Sequence, residues 1–149
     1  AGRGLQGEGG DGGGGGGWIR TGLSFRAWAT GGNPIARAVC RYYGSPDFGP
    51  NSHFFSISAD ECEGLHQLQR ATPAWVPRWN HEGIAFFAET VDPVTGQCRS
   101  GRAAVYRAYN NGSTRGIDSN HRFVPRVDEL SGLVSEGWSL EGIAFCSIQ

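Results

Sequence analysis

The pentapeptide Glu-Gly-Ile-Ala-Phe occurs twice in this chain, at residues 82–86 and again at 141–145, and each copy stands three residues after a tryptophan (Trp79, Trp138). The sequence upstream aligns as well. Arg41 matches Arg107, Tyr43 matches Tyr109, His53 matches His121, Asp60-Glu61 matches Asp128-Glu129 and Leu65 matches Leu133. Self-similarity in this order means that one supersecondary unit is written twice, so the fold must be one that such a unit builds in pairs.

The unit itself can be read from its residues. Residues 39–44 and 51–57 have the β-branched and aromatic content of two short strands. Ser58 with Glu61 three positions later is a capping box, which opens a helix through Leu65 and Leu68 to about Arg70. Pro73 and Pro77 break the path before Trp79, and a closing strand follows to about Glu89. The second copy runs through a strand at 105–110, a Gly/Asn/Ser loop, a strand at 119–123, a helix at 127–135 and a closing strand to Ile148, with Asp92-Pro93-Val94-Thr95-Gly96 as the turn between copies. The predicted fold is therefore α+β and mostly β, with strand-strand-helix-strand repeats at 35–91 and 92–149 and short helices. About nine extra residues lie between helix and closing strand in the first.

Upstream, residues 18–34 form a strand and turn, with Ile19, Thr21, Leu23, Phe25 and Ala27 on one face. Phe25-Arg26-Ala27-Trp28 matches Tyr106-Arg107-Ala108-Tyr109, so this piece reads as the opening strand of a partial third repeat, and 18–149 as one compact domain. Residues 1–17 are a Gly-rich extension, with eleven of the chain's 25 glycines. Such a tract cannot bury enough apolar surface to offset its ordering entropy and reads as a flexible tether, unless a neighbouring subunit holds it.

Four cysteines without C-x-x-C spacing argue for disulfides over zinc. Three pairings are open to them. Cys40 and Cys62 are replaced together in the second repeat, by Tyr106 and Leu130, which favours Cys40 with Cys62 and leaves Cys98 with Cys146. Disulfides of this kind place the chain outside the reducing cytosol, and each contributes about 2–4 kcal/mol. The chain has no initiator Met and no apolar signal core, and is expected to be a processed piece of a longer product. All thirteen cations are arginine against fourteen acids, a balance near zero that favours neither nucleic acid nor an anionic membrane surface as partner. No apolar run is long enough for membrane insertion.

The spaced motifs Val-Cys-Arg-Tyr-Tyr, Asn-Ser-His-Phe-Phe, Asp-Glu-Cys, Trp and Glu-Gly-Ile-Ala-Phe, over about residues 35–149, resemble a secreted bacterial and fungal tandem-repeat family catalogued as domain of unknown function 5648. Its repeats read Tyr-Arg-x-Tyr-Asn, His-Phe-Tyr-Thr, Gly-Trp and Glu-Gly-x-Ala-Phe. The chain has Phe55-Ser56 and Arg122-Phe123-Val124 where the family favours Tyr-Thr. The resemblance implies an extracellular or cell-surface accessory module at the end of secreted hydrolases and surface proteins, with a glycan as one possible ligand.

The recurring polar residues are the candidate ligand-binding set: Arg41, Tyr43, His53 and Glu82 in one copy, Arg107, Tyr109, His121 and Glu141 in the other. Arg and Glu present forked hydrogen bonds to sugar hydroxyls, and tyrosine stacks on a pyranose face. The competing reading is that Arg and Glu pair with each other and His caps a backbone group, holding the repeat together. Equivalent Glu82 and Glu141 make two like sites, not one asymmetric acid/base pair, so no catalytic residue is assigned and no enzyme is expected. His53, His66, His81 and His121 lack ligand spacing, so neither metal nor cofactor is expected. The expectation is a non-enzymatic extracellular module for attachment or assembly, self-associating into a fibre through the Gly-rich arm and Trp18, Ile19, Leu23, Phe25 and Trp28. The alternative is a carbohydrate- or cell-wall-binding accessory domain. Partners are accordingly a second copy or an extracellular glycan.

Overall fold

The computed structural model describes residues 3–9, 19–30, 32–44 and 52–149, the first of these segments and residues 19–24 by backbone alone. In chain order the described elements are β1 (Arg3–Gly9), β2 (Ile19–Ala27), β3 (Arg37–Tyr43), β4 (His53–Ser56), α1 (Ala59–Ala71), β5 (Asn80–Ala88) and β6 (Arg102–Tyr109). They continue with α2 (Gly112–Arg115), β7 (His121–Val124), a 3-10 turn (Val127–Glu129) leading into α3 (Leu130–Ser135), and β8 (Ser139–Ile148). The chain is a mixed α+β protein with more strand than helix. Its strands form an antiparallel five-stranded sheet, β1-β2-β8-β6-β7, and an antiparallel three-stranded sheet, β4-β3-β5.

The pairing around β3 and that around β6 coincide residue for residue. Tyr43 faces His53 and Asn80, and Tyr109 faces His121 and Ser139; Val39 faces Phe86, and Val105 faces Phe145. Both closing strands carry a bulge at the same place. Gly83 (φ 96°) and Gly142 (φ 88°) take the left-handed conformation that lets one extra residue fit opposite Arg41 and Arg107.

At the centre the phenyl rings of Phe25, Phe86 and Phe145 meet edge to face, with centroids 5.5, 5.3 and 5.2 Å apart. Three short backbone ties surround them: Trp28 with Phe87, Glu89 with Cys146, and Ile148 with Arg26. Each joins the third residue after one core phenylalanine to the first residue after the next. Strands β2, β5 and β8 are thus linked in a closed ring around one apolar core, to which Ala27, Val39, Ala88, Val105 and Phe123 contribute.

This arrangement corrects the reading of residues 25–28. Phe25 packs as Phe86 and Phe145 do, so β2 stands in the place of a closing strand, not an opening one. The matching signal is spacing: Trp18, Gly22 and Phe25 are separated as are Trp79, Gly83 and Phe86. The place of the opening strand falls to β1, and Arg3–Gly9, expected to be part of a tether, pairs along β2 from Arg3 opposite Ala27 to Gly9 opposite Ile19. A ladder needs only backbone groups, so glycine does not prevent it. The remaining Gly tract (residues 10–17) and the loop at 45–51 lie outside the described residues.

The two longer helical segments are fastened differently. α3 buries Leu130 and Leu133 against Ala108 and Val124, whereas α1 buries none of its residues. α1 is held by the Cys40–Cys62 disulfide and by the Tyr42 hydroxyl donating to the Cys62 carbonyl (2.8 Å). The second disulfide is Cys98–Cys146. Ser58 caps α1 as expected, through the Glu61 N–H. The Glu61 carboxylate does not close the capping box, because the Ser56 hydroxyl takes the Ser58 N–H instead and itself donates to Glu61. The expected Gly/Asn/Ser loop contains α2, ordered by buried Asn110, whose amide donates to Asp118 O and accepts from the N–H groups of Gly112 and Asn120.

Beside the ring, the carboxylate of Glu89, 1% exposed, receives Arg99, Arg102 and Asn33 at 2.6–3.1 Å. Burial alone raises its pKa, but the hydrogen bonds from Arg99, Asn33 and Arg102 bring it below the ordinary value. Glu89→Ala is expected to lower the unfolding free energy by about 2–3 kcal/mol in urea titration, because two arginines then lose a buried carboxylate. Gly83→Ala, in open space but at positive φ, is expected to cost about 1–2 kcal/mol. Gly64→Ala, in α1 with nothing near a new Cβ, should instead stabilise by about 0.5–1 kcal/mol.

Candidate functional site

The bulges aim Glu82 and Glu141 onto the side of the sheet that carries the arginine of the opening strand and the histidine of the neighbouring strand. Each quartet predicted from the sequence is brought together. In the first, Glu82 Oε1 lies 3.1 Å from Arg41 Nε and 3.1 Å from His53 Nε2, and the Tyr43 ring packs against His53 with centroids 4.7 Å apart. In the second, Glu141 Oε1 lies 3.0 Å from Arg107 Nε and 3.4 Å from His121 Nε2, and Tyr109 stacks on His121 at 4.9 Å.

The quartets differ in what covers them. Arg107 is only 16% exposed, and its two terminal nitrogens hold both oxygens of Glu61 at 3.2 and 3.3 Å. Its guanidinium also lies 4.8 Å from the centroid of the Phe54 ring. Arg41 is 40% exposed and, among the described residues, meets no second carboxylate. Glu61, Phe54 and Ser56 were missed as site residues in the sequence. Glu61 was recognisable as a helix cap, but nothing local says that its carboxylate crosses to Arg107.

Burial sets the protonation of the covered site. Desolvation first, and then the Arg107 charge, lower the His121 pKa to about 4, although Glu61 pulls the other way. The His121–Glu141 contact is therefore that of a neutral imidazole 3.4 Å from a carboxylate already matched by Arg107. In keeping with this, His121 Nδ1 is buried with no hydrogen-bond partner. The Tyr109 pKa is lowered by hydrogen bonds with Ser113 and Ser119.

Of the residues expected in assembly, Phe25 lies in the central core and is not available to a neighbour. Trp28 is half-buried beneath the Arg102 guanidinium, 5.2 Å from the ring centroid. Trp18 and the side chains of Ile19 and Leu23 lie outside the described residues. Among the described residues no group of three or more His, Cys, Asp or Glu side chains is placed to hold a metal ion. No helix among them is long and apolar enough to cross a membrane.

Fold and site together define a disulfide-bonded α+β protein with two like polar clusters set on β-bulges. A family model described as "Domain of unknown function (DUF5648)" matches residues 13–148, and the chain belongs to that family. No curated protein and no solved structure matches it.

Because the unfolded chain takes up the His121 proton near pH 6.5 and the folded chain only near pH 4, stability is retained above pH 6.5 and lost as pH falls through this window. The loss is expected to reach about 3 kcal/mol at most. Urea midpoints at pH 7 and pH 4.5 should differ in the wild type and converge in His121→Gln, and an imidazole NMR titration should give the His121 midpoint directly.

Proposed function

We propose that this protein is a non-catalytic extracellular attachment module, built from repeated strand-strand-helix-strand units, whose polar quartets bind carbohydrate. The single observation that carries this reading is the contrast between the two complete sectors of the ring and the third. The third keeps its core phenylalanine, its backbone ties and its β1–β2 ladder. In the same register, however, it has Gly7 in place of the arginine, Gly9 in place of the tyrosine and Thr21 in place of the glutamate. Core and ladder therefore persist without the quartet, which favours a role for Arg, Tyr, His and Glu beyond holding a unit together. Glu82 and Glu141 hold equivalent places in the two copies, and the less covered quartet, around Arg41, pairs an aromatic ring with charged hydrogen-bonding groups, a combination suited to sugar rings and hydroxyls. Two disulfides suit an oxidising compartment.

A second reading, assembly into a fibre, draws support from β1, which stands at the end of the strand order in its sheet. Glycan-array binding of the full chain is expected, and Glu82→Gln with Glu141→Gln should reduce it at least tenfold without changing the circular dichroism spectrum. Undiminished binding in the double variant would remove the quartets from the mechanism. Sedimentation of the chain lacking residues 1–9 tests the assembly reading, since this deletion spares Phe25.

A further inference from the structure

Beneath α1 the first unit places two histidines where the second unit has aliphatic residues. In the sheet register Tyr42 stands opposite His81 as Ala108 stands opposite Leu140, and on the helix His66 follows Leu65 as Val134 follows Leu133. The imidazoles of His66 and His81 meet with centroids 4.1 Å apart, and the Tyr42 ring packs on both, at 5.7 and 5.1 Å. His81 Nε2 is buried with no hydrogen-bond partner among the described residues. Helix and closing strand join in the second unit with no titratable group at these three places, so the joint itself does not call for histidine. What the pair adds is a charge that depends on pH.

We propose that His66 and His81 form an acid-sensitive clasp, which holds the C-terminal part of α1 on β5 while both rings are neutral and releases it when they are protonated. The first turn stays in place, because Ser58 caps it and Cys62 is fixed by its disulfide to Cys40 and by the Tyr42 hydroxyl. Glu61 therefore remains on Arg107. Beyond Cys62 the helix buries no residue. It is held by partly buried Leu65, by the His81 N–H donating to Gln69 Oε1 (2.9 Å), and by Arg78, which donates to the Gln69 and Thr72 carbonyls. An imidazolium donates from both nitrogens, and Nε2 of His81 faces no acceptor. A second imidazolium in ring contact adds like-charge repulsion. The neighbouring charges do not offset this. Glu63 is bonded to Gln67 and Arg70, Glu82 lies 3.1 Å from both Arg41 and His53, and Arg70 and Arg78 bring further positive charge to the end of the helix. Burial first, and then His66, lower the His81 pKa. The stability that the contact gives is accordingly full above the ordinary histidine value and is lost as pH falls below it.

Amide hydrogen exchange of the oxidised full chain at pH 7 and pH 5, corrected for intrinsic rates, tests the clasp. Between these values the protection of residues 65–71 is expected to fall by about tenfold more than that of β6 and β8. In the double variant His66→Val with His81→Leu, which carries the residues of the second unit at these places, helix and sheet should change together, since His121 is retained and acts on the whole fold. Imidazole NMR titration of the wild type should give His81 a midpoint below the one it has in the urea-unfolded chain. Equal loss of protection in α1 and in the sheet of the wild type would overturn the clasp, and so would an excess loss in α1 that persists in the double variant. Where that variant lacks the native circular dichroism spectrum, the wild-type measurements decide, and a His81 midpoint at or above the unfolded value overturns the assignment.

Discussion

Three phenylalanine rings packed edge to face, one from each of β2, β5 and β8, are the contact on which the rest of the structure depends. Each ring is nearly buried, and each strand is tied to the next by a short backbone bridge at the same offset. An edge-to-face triangle brings the positive rim of one ring to the negative face of another, so the three strands are fixed in orientation as well as buried. The two sheets are joined through this centre, although the strands within them come from distant parts of the chain. Glu89 and its arginines close the polar side of the same junction. There the cost of burying a carboxylate is offset by three donors.

With the centre fixed, the periphery is free to differ between sectors. Where α3 uses two leucines to seat itself, α1 uses a disulfide and a tyrosine hydroxyl, and the same backbone register results. Polar clusters follow the same rule. The bulge fixes where Glu82 and Glu141 point, but the neighbouring helix decides whether the arginine beside them is filled or open. His121 records the difference, since the coverage that gives Arg107 its second carboxylate also excludes water from the imidazole and keeps it neutral.

The duplicated pentapeptide made the two closing strands legible, because spacing between Trp, Gly and Phe is a local property of a bulged strand. The disulfides were legible for a related reason. Two cysteines that vanish together from a repeat must have been answering one another, and in their place Leu130 belongs to an apolar cluster against which Tyr106 packs. Residues 25–28 were misread because a short aromatic-Arg-Ala-aromatic string matches by letters, whereas the Trp18-to-Phe25 spacing carried the correct correspondence. The strand in the Gly-rich extension left no signal, since its pairing uses backbone alone.

By itself the sequence determined the strands and the main helix of each copy and the membership of each quartet, and it favoured the observed pairing of the cysteines. These depend on residue type and spacing within one unit. Only the tertiary structure decided that Phe25 belongs with Phe86 and Phe145, and that Glu61 crosses 46 positions to Arg107 while Arg41, among the described residues, meets no such partner. Contacts between units depend on how strands close around a common core, and that closure is a property of the whole chain that no local pattern encodes.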